Sequence, residues 1–450
     1  MNNKKLLSNI RFWPLFWTQF FGALNDNLFK IALITIVLNQ SKNYELWGLD
    51  IKALVILSTG IFILPFFLFS TTAGQLADKY DKARLIRYIK MLEITIMILA
   101  TFAFVTENIG FLVLILFMMG TQSTLFGPIK YSILPQHLPD EALVAANGLI
   151  EMATFLAILM GTIFGGILIL ITPGGPFIIS ATVLIVAITG WLCSTKIPDA
   201  PPCSPKTIIR LNFISETFKQ LVHARHNRDV FIAIIAISWF WFFGVTILSF
   251  LPAISSESFH GSPYIYTVLL TALSLGIGIG SVLCDKLVGH LKSGNHLVPI
   301  GAIGLAVFAI DFYFAANHMI KLSPELLDYT FKDKQLMSMA SYLGTFTAWR
   351  ILLDLALFGV SAGFYIVPLY VMLQQRSDVQ HRSRMIAINN IMNALFMVVA
   401  SVAGLLLKKY FSLNEIILLT ALLSSVVCSI IFIVKKEFVR DLISRFKTAS

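Results

Sequence analysis

Residues 51–106 read IKALVILSTGIFILPFFLFSTTAGQLADKYDKARLIRYIKMLEITIMILATFAFVT, with two long apolar runs, 51–73 and 89–106, on either side of a charged segment. A helix of about 20 residues crosses the hydrocarbon core of a bilayer, so each run has the length of one crossing. Further apolar segments repeat the pattern along the chain: 12–39, 109–131, 142–171, 176–194, 229–254, 264–284, 297–317, 349–373, 385–407 and 414–434. The sequence therefore predicts an all-α membrane protein with about twelve transmembrane helices.

Composition argues against a soluble protein and against a nucleic-acid partner. The chain is 57% hydrophobic and 13% charged, whereas soluble domains are about 25% charged. The net charge is +10, but the basic residues lie mainly in the connections between apolar runs. With both termini in the cytoplasm, 24 lysines and arginines fall in cytoplasmic segments and 7 in external loops, the bias that the positive-inside rule describes. The four cysteines have no metal-ligand or disulfide spacing, and we predict no metal and no cofactor.

The predicted helices divide into two groups of six. The long, basic, proline-rich segment 195–228 separates them. Residues 126–157 resemble residues 364–399, an alignment that places Asn147 opposite Asn389 and Glu151 opposite Asn393. Parallel repeats of this kind are typical of the major facilitator fold. We predict that fold, with an N-terminal six-helix bundle (1–194), a cytoplasmic linker (195–228), a C-terminal six-helix bundle (229–434) and a basic cytoplasmic tail (435–450).

The charged segment after the second span resembles the loop signature of the major facilitator superfamily. It has a glycine, an aspartate four residues later, and then clustered basic residues: Gly74, Asp78, Lys79, Lys82 and Arg84. The glycine allows close helix packing, and the aspartate can cap a neighbouring helix while the basic residues tie the loop to the bundle. We predict a conformational latch. The alternative is an ordinary positive-inside loop.

Polar residues inside the first span form a candidate substrate site. Gln19, Gly22, Asp26 and Lys30 follow helical spacing and give one polar stripe on an apolar helix. Charges within spans are energetically costly, which makes them functional candidates. Asp26 is therefore predicted to contact a substrate or a coupling ion, with Asn25 and Asn27 beside it. Alternatively, Asp26 and Lys30 only form a buried ion pair.

Later spans supply further candidate residues. Lys130 follows Pro128 at the end of the fourth span, where it is either functional or a snorkelling lysine. Glu151 and Asn147 lie one turn apart in the fifth span and are predicted to line the substrate site. In the second half, polar lining is expected from Asn389 and Asn393, although hydrogen bonds between helices explain these two almost as well.

Three strings carry a more specific resemblance: FWPLFWTQFFGALNDNLFK (12–30), FGPIKYSILPQHL (126–138) and RSRMIAINNIMNALFMVV (382–399). They resemble the lysophospholipid transporter family of the major facilitator superfamily, in particular the module that many proteobacteria fuse to acyltransferase and acyl-carrier-protein ligase domains. The resemblance implies a transporter, not an enzyme, that flips lysophosphatidylethanolamine and related lysolipids to the inner leaflet of the bacterial inner membrane by alternating access. It also favours a functional Lys130, within the family's Gly-Pro-x-Lys-Tyr string.

The resemblance leaves partners and alternatives open. Neither an acyltransferase motif nor a ligase segment is found, so we expect any such enzyme to be a separate partner. One alternative is a proton-coupled exporter of small amphipathic drugs or solutes, and another is a non-transporting membrane protein that docks an acyltransferase. Arg350 and Asp354, four residues apart, are interpreted as a structural pair. We also expect an amphipathic helix in the external segment 318–348, and a tail that lies on the anionic leaflet.

Overall fold

The computed structural model describes residues 6–40, 44–289, 294–331 and 334–449. Within these residues, helices long and apolar enough to cross a membrane number twelve, and the predicted all-α membrane fold is confirmed. They are α1 (Trp13–Leu38), α2 (Ile51–Lys79), α3 (Lys82–Val105), α4 (Ile109–Ser132), α5 (Leu143–Ile169), α6 (Gly175–Ser194), α7 (Arg228–Ala253), α8 (Pro263–Val288), α9 (Leu297–Leu322), α10 (Phe346–Arg376), α11 (Arg382–Leu407) and α12 (Leu413–Val434).

Short polar side chains set the starts of several spans. The Asp50 carboxylate accepts a hydrogen bond from the Ala53 amide at 2.8 Å at the start of α2. Asn108 caps α4 in the same way, and Ser412 with Glu415 forms a capping box on α12. Such caps satisfy amide groups that have no partner within the helix. The apolar runs thus become helices whose first turns are fixed by the polar residue before them.

The connection between α2 and α3 is shorter than the sequence suggested. The predicted loop began at residue 74, but α2 continues to Lys79 and α3 begins at Lys82. Only Tyr80 and Asp81 lie between the two helices, and the Asp81 carboxylate caps α3 by accepting from the Arg84 amide at 2.9 Å. Lysine, arginine and leucine in this segment are good helix formers, so the charged stretch stays helical. As a result Lys90, which the charge count places in the cytoplasmic segment 74–90, lies on a transmembrane helix.

The chain forms two compact units. Unit 1 comprises residues 1–146, 156–231 and 373–394, and unit 2 comprises residues 147–155, 232–372 and 395–450. In unit 1 the apolar core includes Leu28, Phe29 and Phe104, all almost fully buried. In this unit α4 also approaches α2 closely, since a Cβ on Gly120 would lie 2.4 Å from the Phe62 carbonyl oxygen. The predicted bundle boundaries at residues 194 and 229 stay predictions.

In unit 2, glycines bring α8 and α10 together. A Cβ on Gly276 would lie 2.2 Å from the carbonyl oxygen of Ala356, and one on Gly363 would lie 2.3 Å from the Ser281 amide nitrogen. The described part of segment 318–348 does not form the expected amphipathic helix over most of its length. After α9 the chain forms an antiparallel hairpin of β1 (Leu327–Phe331) and β2 (Lys334–Met337), followed by a five-residue helix.

Helices outside the spans occupy the linker and the tail. The linker contains a helix at Phe213–His226, whose Glu216 carboxylate lies 3.3 Å from the Gln75 amide on α2. The tail contains a helix at Lys436–Ala449. Its contact with a leaflet stays a prediction.

Candidate substrate site

Asp26 lies on α1 beside a hydroxyl from α4. The Ser123 Oγ donates a hydrogen bond to the Asp26 carboxylate at 2.7 Å, and both residues are partly exposed. Lys30, one turn along α1, lies close enough to attract the Asp26 carboxylate and is also partly exposed. Asp26 and Lys30 therefore present opposite charges about one helical turn apart.

A buried ion pair on α3 lies beside Asp26, and the sequence interpretation missed it. The Lys90 ammonium donates to the Glu93 carboxylate at 2.6 Å, and the two side chains are 1% and 4% exposed. Glu93 also accepts from the Asn25 amide of α1 at 3.0 Å and from the Gln122 amide of α4 at 3.0 Å. Three helices thus converge on one carboxylate. We call Asn25, Asp26, Lys90, Glu93, Gln122 and Ser123 the polar cluster.

Pairing explains how charges persist inside an apolar bundle. Ions within a membrane span are costly unless they pair or reach water, and a buried pair needs its remaining polar atoms satisfied as well. Glu93 meets this condition with two amide donors besides the ammonium. The Lys90 ammonium also lies 5.2 Å from the centre of the Phe126 ring, a distance that allows cation–π attraction.

Gly22 makes room for this arrangement. A Cβ at this position on α1 would lie 2.5 Å from the Lys90 Nζ, closer than any real contact. Gly22 precedes Asp26 by four residues, so both lie on the face of α1 that meets α3 and α4. The polar stripe predicted from sequence therefore does face other polar groups. The sequence signal of its partners in α3 was available, because Lys90 and Glu93 lie three residues apart within the predicted span 89–106, but Lys90 was counted with the cytoplasmic segment 74–90.

Asn27 and Asn25, which flank Asp26, have different surroundings. The Asn27 amide donates to the Ala23 carbonyl of its own helix at 2.8 Å. Its Cβ packs on α5, where a Cβ added to Gly161 would lie 2.6 Å from it. Asn25, in contrast, is fully buried and belongs to the polar cluster. A substrate contact by Asn27 stays a prediction.

The other predicted substrate residues are distributed over both units. Lys130 lies on α4, seven residues and about 10 Å beyond Ser123, with its ammonium 4.8 Å from the centre of the Tyr131 ring. Asn389 and Asn393 lie on the first half of α11, also in unit 1, and are 0% and 8% exposed. Both side-chain polar atoms of Asn389 lack hydrogen-bond partners among the described residues.

Asn147 and Glu151 lie on the short part of α5 that belongs to unit 2. They are 0% and 1% exposed. The intervening Gly148 approaches α8 closely, since a Cβ there would lie 2.3 Å from the Ser281 carbonyl oxygen. A common chamber for Asp26, Lys130 and Glu151 stays a prediction.

The predicted latch residues surround the end of α2. Asp78 is fully buried, and its carboxylate accepts from the Ser383 amide at 3.2 Å and from the Arg384 guanidinium at 2.9 Å. Asp78 therefore lies at the N-terminus of α11, where partial positive charge favours an anion. Gly74 allows this approach, because a Cβ there would lie 2.8 Å from the Ala387 Cβ. Arg384, the cationic partner, had not been predicted.

The basic latch residues behave differently from one another. The Lys82 side chain is buried and its ammonium lies 3.5 Å from the Cys203 sulfur in the linker. The Lys79 ammonium lies over the Tyr80 ring, 5.7 Å from its centre, and Arg84 is exposed. Lys82 was expected to tie the α2–α3 connection to the bundle, and in the structure its ammonium contacts the linker. The role of this group in switching stays a prediction.

The interpretation of Arg350 and Asp354 as a pair in unit 2 needs correction. The Arg350 guanidinium binds both carboxylate oxygens of Asp311 on α9. This fork-shaped contact satisfies Arg350 with a residue 39 positions away, which helical spacing could not indicate. Asp354 lies one turn deeper on α10 and is 4% exposed.

Twelve membrane-length helices, with charged side chains paired inside the bundle, define a polytopic membrane protein, and such buried charges are typical of transporters. The sequence profile of the Major Facilitator Superfamily matches residues 15–321, and the chain belongs to this family. Solved structures support the fold: the human organic anion transporter MFSD10 (TM-score 0.72, 11% identity, 96% of this chain and 99% of that one) and FucP in the outward conformation (TM-score 0.67, 15% identity, 94% and 97%).

Curated relatives confirm the resemblance to lysophospholipid transporters. The lysophospholipid transporter LplT of Serratia proteamaculans is 26% identical over 373 residues, which cover 80% of this chain and 78% of that protein. LplT of Enterobacter sp. is 27% identical over 368 residues, with the same shares covered. The protein is thus a multi-pass bacterial membrane transporter similar to LplT.

Proposed function

We propose that this protein moves lysophospholipids, lysophosphatidylethanolamine in particular, from the outer to the inner leaflet of the bacterial cytoplasmic membrane. One observation carries the proposal. In unit 1, Lys90 and Glu93 neutralise each other in the buried part of the polar cluster, while Asp26 and Lys30 remain partly exposed with opposite charges. The names of the curated relatives support the same cargo.

The charges of the site suit a zwitterionic headgroup. Phosphoethanolamine carries an ammonium, which a carboxylate such as Asp26 can bind, and a phosphate, which a lysine such as Lys30 or Lys130 can bind. The charges of Asp26, Lys30, Lys90 and Glu93 cancel. A neutral site therefore receives a neutral headgroup, so the loaded site leaves no net charge in a low-dielectric region.

Alternating access would carry the headgroup past the hydrocarbon while the acyl chain stays among lipids. Asp78 and Arg384 hold the end of α2 against the start of α11, and this contact would form in one access state and break in the other. The proposal includes both termini in the cytoplasm, because basic residues concentrate in the segments on that side. Reacylation would fall to a separate acyltransferase and ligase.

The test is transport of labelled lysophosphatidylethanolamine by the purified protein in liposomes. Asp26→Asn removes one charged contact to the headgroup, worth about 2 kcal/mol, so we expect a roughly 30-fold lower transport rate. The matched control is Asp199→Asn. Asp199 is 68% exposed and 3.8 Å from Arg87, a surface pair that contributes little, so transport should be unchanged.

Two outcomes would overturn the proposal. Wild-type protein that expels amphipathic dyes but leaves the lysolipid in place would indicate the exporter. Wild-type protein that moves neither cargo, but binds a purified acyltransferase, would indicate a docking partner. A separate outcome concerns the site alone: equal lysolipid transport by wild type and Asp26→Asn would show that Asp26 does not bind the headgroup.

A further inference from the structure

Unit 2 contains a buried carboxyl group that the proposed headgroup site does not use. Asp354 on α10 is 4% exposed, and its Oδ2 has no hydrogen-bond partner among the described residues. It lines a recess whose other walls are apolar, from α7, α9, α10 and α12: Ile247, Phe308, Phe312, Phe358 and Ile417. An ionised carboxylate without a partner in such surroundings costs several kcal/mol or more.

The nearest cation is already bound to another carboxylate. Arg350 binds both oxygens of Asp311, and those two side chains are 42% and 39% exposed. Asp354 lies near enough to Asp311 for the two carboxyl groups to interact. Two carboxyl groups can share a hydrogen bond only if one of them carries a proton. Asp311 is the ionised member because the guanidinium holds it, so the proton belongs on Asp354.

The recess itself restricts the ligand. It has no room for a water molecule, and its walls apart from Asp354 are hydrocarbon. Sodium and other hard cations need several oxygen ligands, which these lining residues do not supply. A proton needs only the carboxylate. We infer that Asp354 is a proton-binding site, loaded through the exposed Asp311–Arg350 pair, and that its protonation drives the proposed lysolipid transport; the second half of this inference rests on the proposed function.

The chemistry is a single protonation. A proton from water on the side of Asp311 and Arg350, which the charge bias predicts to be external, adds to the Asp354 carboxylate and gives the neutral acid. Charged and titratable groups near this site come from two helices. α9 contributes Asp311 and, two turns on, His318, whose Nδ1 lies 2.8 Å from the Thr347 hydroxyl. α10 contributes Arg350, whereas α7 and α12 present Ile247 and Ile417 to the recess.

Infrared spectroscopy tests the site without any cargo. The difference spectrum of the purified protein between alkaline and acidic buffer should contain the carbonyl stretch of a protonated carboxyl in apolar surroundings. Asp354→Asn should lose this band. The control Asp328→Asn should keep it, since Asp328 is exposed on the hairpin and hydrogen bonds from Ser341 and Ser338 lower its pKa. An unchanged band in Asp354→Asn overturns the assignment.

Transport in liposomes tests the coupling. We expect an inward proton gradient to raise the wild-type lysolipid rate severalfold. In Asp354→Asn, the rate with the gradient divided by the rate without it should fall to one, while Asp328→Asn should keep the wild-type ratio. A wild-type ratio of one overturns the coupling. If the wild type moves no lysolipid at all, the proposed function fails, and the infrared band still decides whether Asp354 binds a proton.

Discussion

Replacing Glu93 with glutamine should destabilise the protein strongly. The variant Glu93→Gln removes the carboxylate that the Lys90 ammonium contacts, and the Lys90 side chain is only 1% exposed. Removal of one partner of a buried pair costs about 3–5 kcal/mol. In the wild type, Glu93 accepts hydrogen bonds from Asn25, Lys90 and Gln122. Glutamine replaces one carboxylate oxygen with an amide group, so that a donor faces these donors. An unsatisfied buried donor adds to the same cost.

The double variant isolates the charge. Lys90→Met alone leaves Glu93 buried without its cation and should cost a similar amount. Lys90→Met with Glu93→Gln removes both charges of the pair, so most of the stability should return, and the two effects should be far from additive. The assay is thermal unfolding of the purified protein in detergent. At about 1 °C for each kcal/mol in a chain of 450 residues, each single variant should melt roughly 3–5 °C below wild type.

A surface pair provides the control. Lys408 and Glu257 lie 3.2 Å apart with side chains 46% and 61% exposed, and Glu257→Gln should change stability by less than about 1 kcal/mol. The reasoning is refuted if Glu93→Gln melts within about 2 °C of wild type. It is equally refuted if the double variant loses the sum of the two single losses, because the two side chains would then not act as counter-ions.

Three further variants follow from the same contacts. Gly22→Ala should displace the Lys90 ammonium from Glu93 and lower both the melting temperature and lysolipid transport, whereas Gly60→Ala on α2, with open space around its Cβ position, should do neither. Asp78→Asn should weaken its contact with Arg384 and raise the reactivity of a cysteine introduced at Ala387 toward a thiol reagent; unchanged reactivity would contradict the latch. The third concerns His223 in the linker helix, which stacks on His381 at 4.8 Å. Burial, together with the charges of His381 and Arg384, lowers the pKa of His223 below its ordinary value of 6.5. The stability that neutral His223 contributes is therefore present above pH 6.5 and lost as the pH falls through the lowered pKa, so tryptic cleavage of the linker should accelerate on acidification in the wild type but not in His223→Gln.

Run length was sufficient to predict the spans, because the bilayer sets the number of apolar residues that a helix needs. Run length did not locate the end of α2 or the start of α3, which lie at Lys79 and Lys82. Basic residues recur at the start of α3: Lys82, Arg84, Arg87 and Lys90. The positive-inside rule treats a basic residue at the end of an apolar run as a loop charge. Glu93, three residues after Lys90, neutralises that charge within the membrane. A search for opposite charges three or four residues apart at the ends of spans would have found this pair.

The partners of the predicted residues were harder to find than the residues themselves. Asp26 and Asp78 stood out because a carboxylate within or beside a span is rare. Their partners, Ser123 and Arg384, lie 97 and 306 residues away in sequence. Helical spacing reports only neighbours on one helix, which is why Arg350 was matched with Asp354 instead of Asp311. One sequence contains no information on such pairs beyond complementary charge.

The helix α3 connects the Asp78–Arg384 contact of unit 1 with the polar cluster. Asp78 lies at the end of α2, and only two residues that are not helical, Tyr80 and Asp81, separate α2 from the first turn of α3. Its Lys90–Glu93 pair lies about 12 Å further along the same rod. A helix transmits displacement along its axis with little bending, so release of Asp78 from Arg384 would shift Glu93 relative to Asn25 on α1 and Gln122 on α4. Because Ser123, which holds Asp26, follows Gln122 directly on α4, the shift would reach the proposed headgroup site. Opening at one end of α3 and release of cargo at the other would then be one motion.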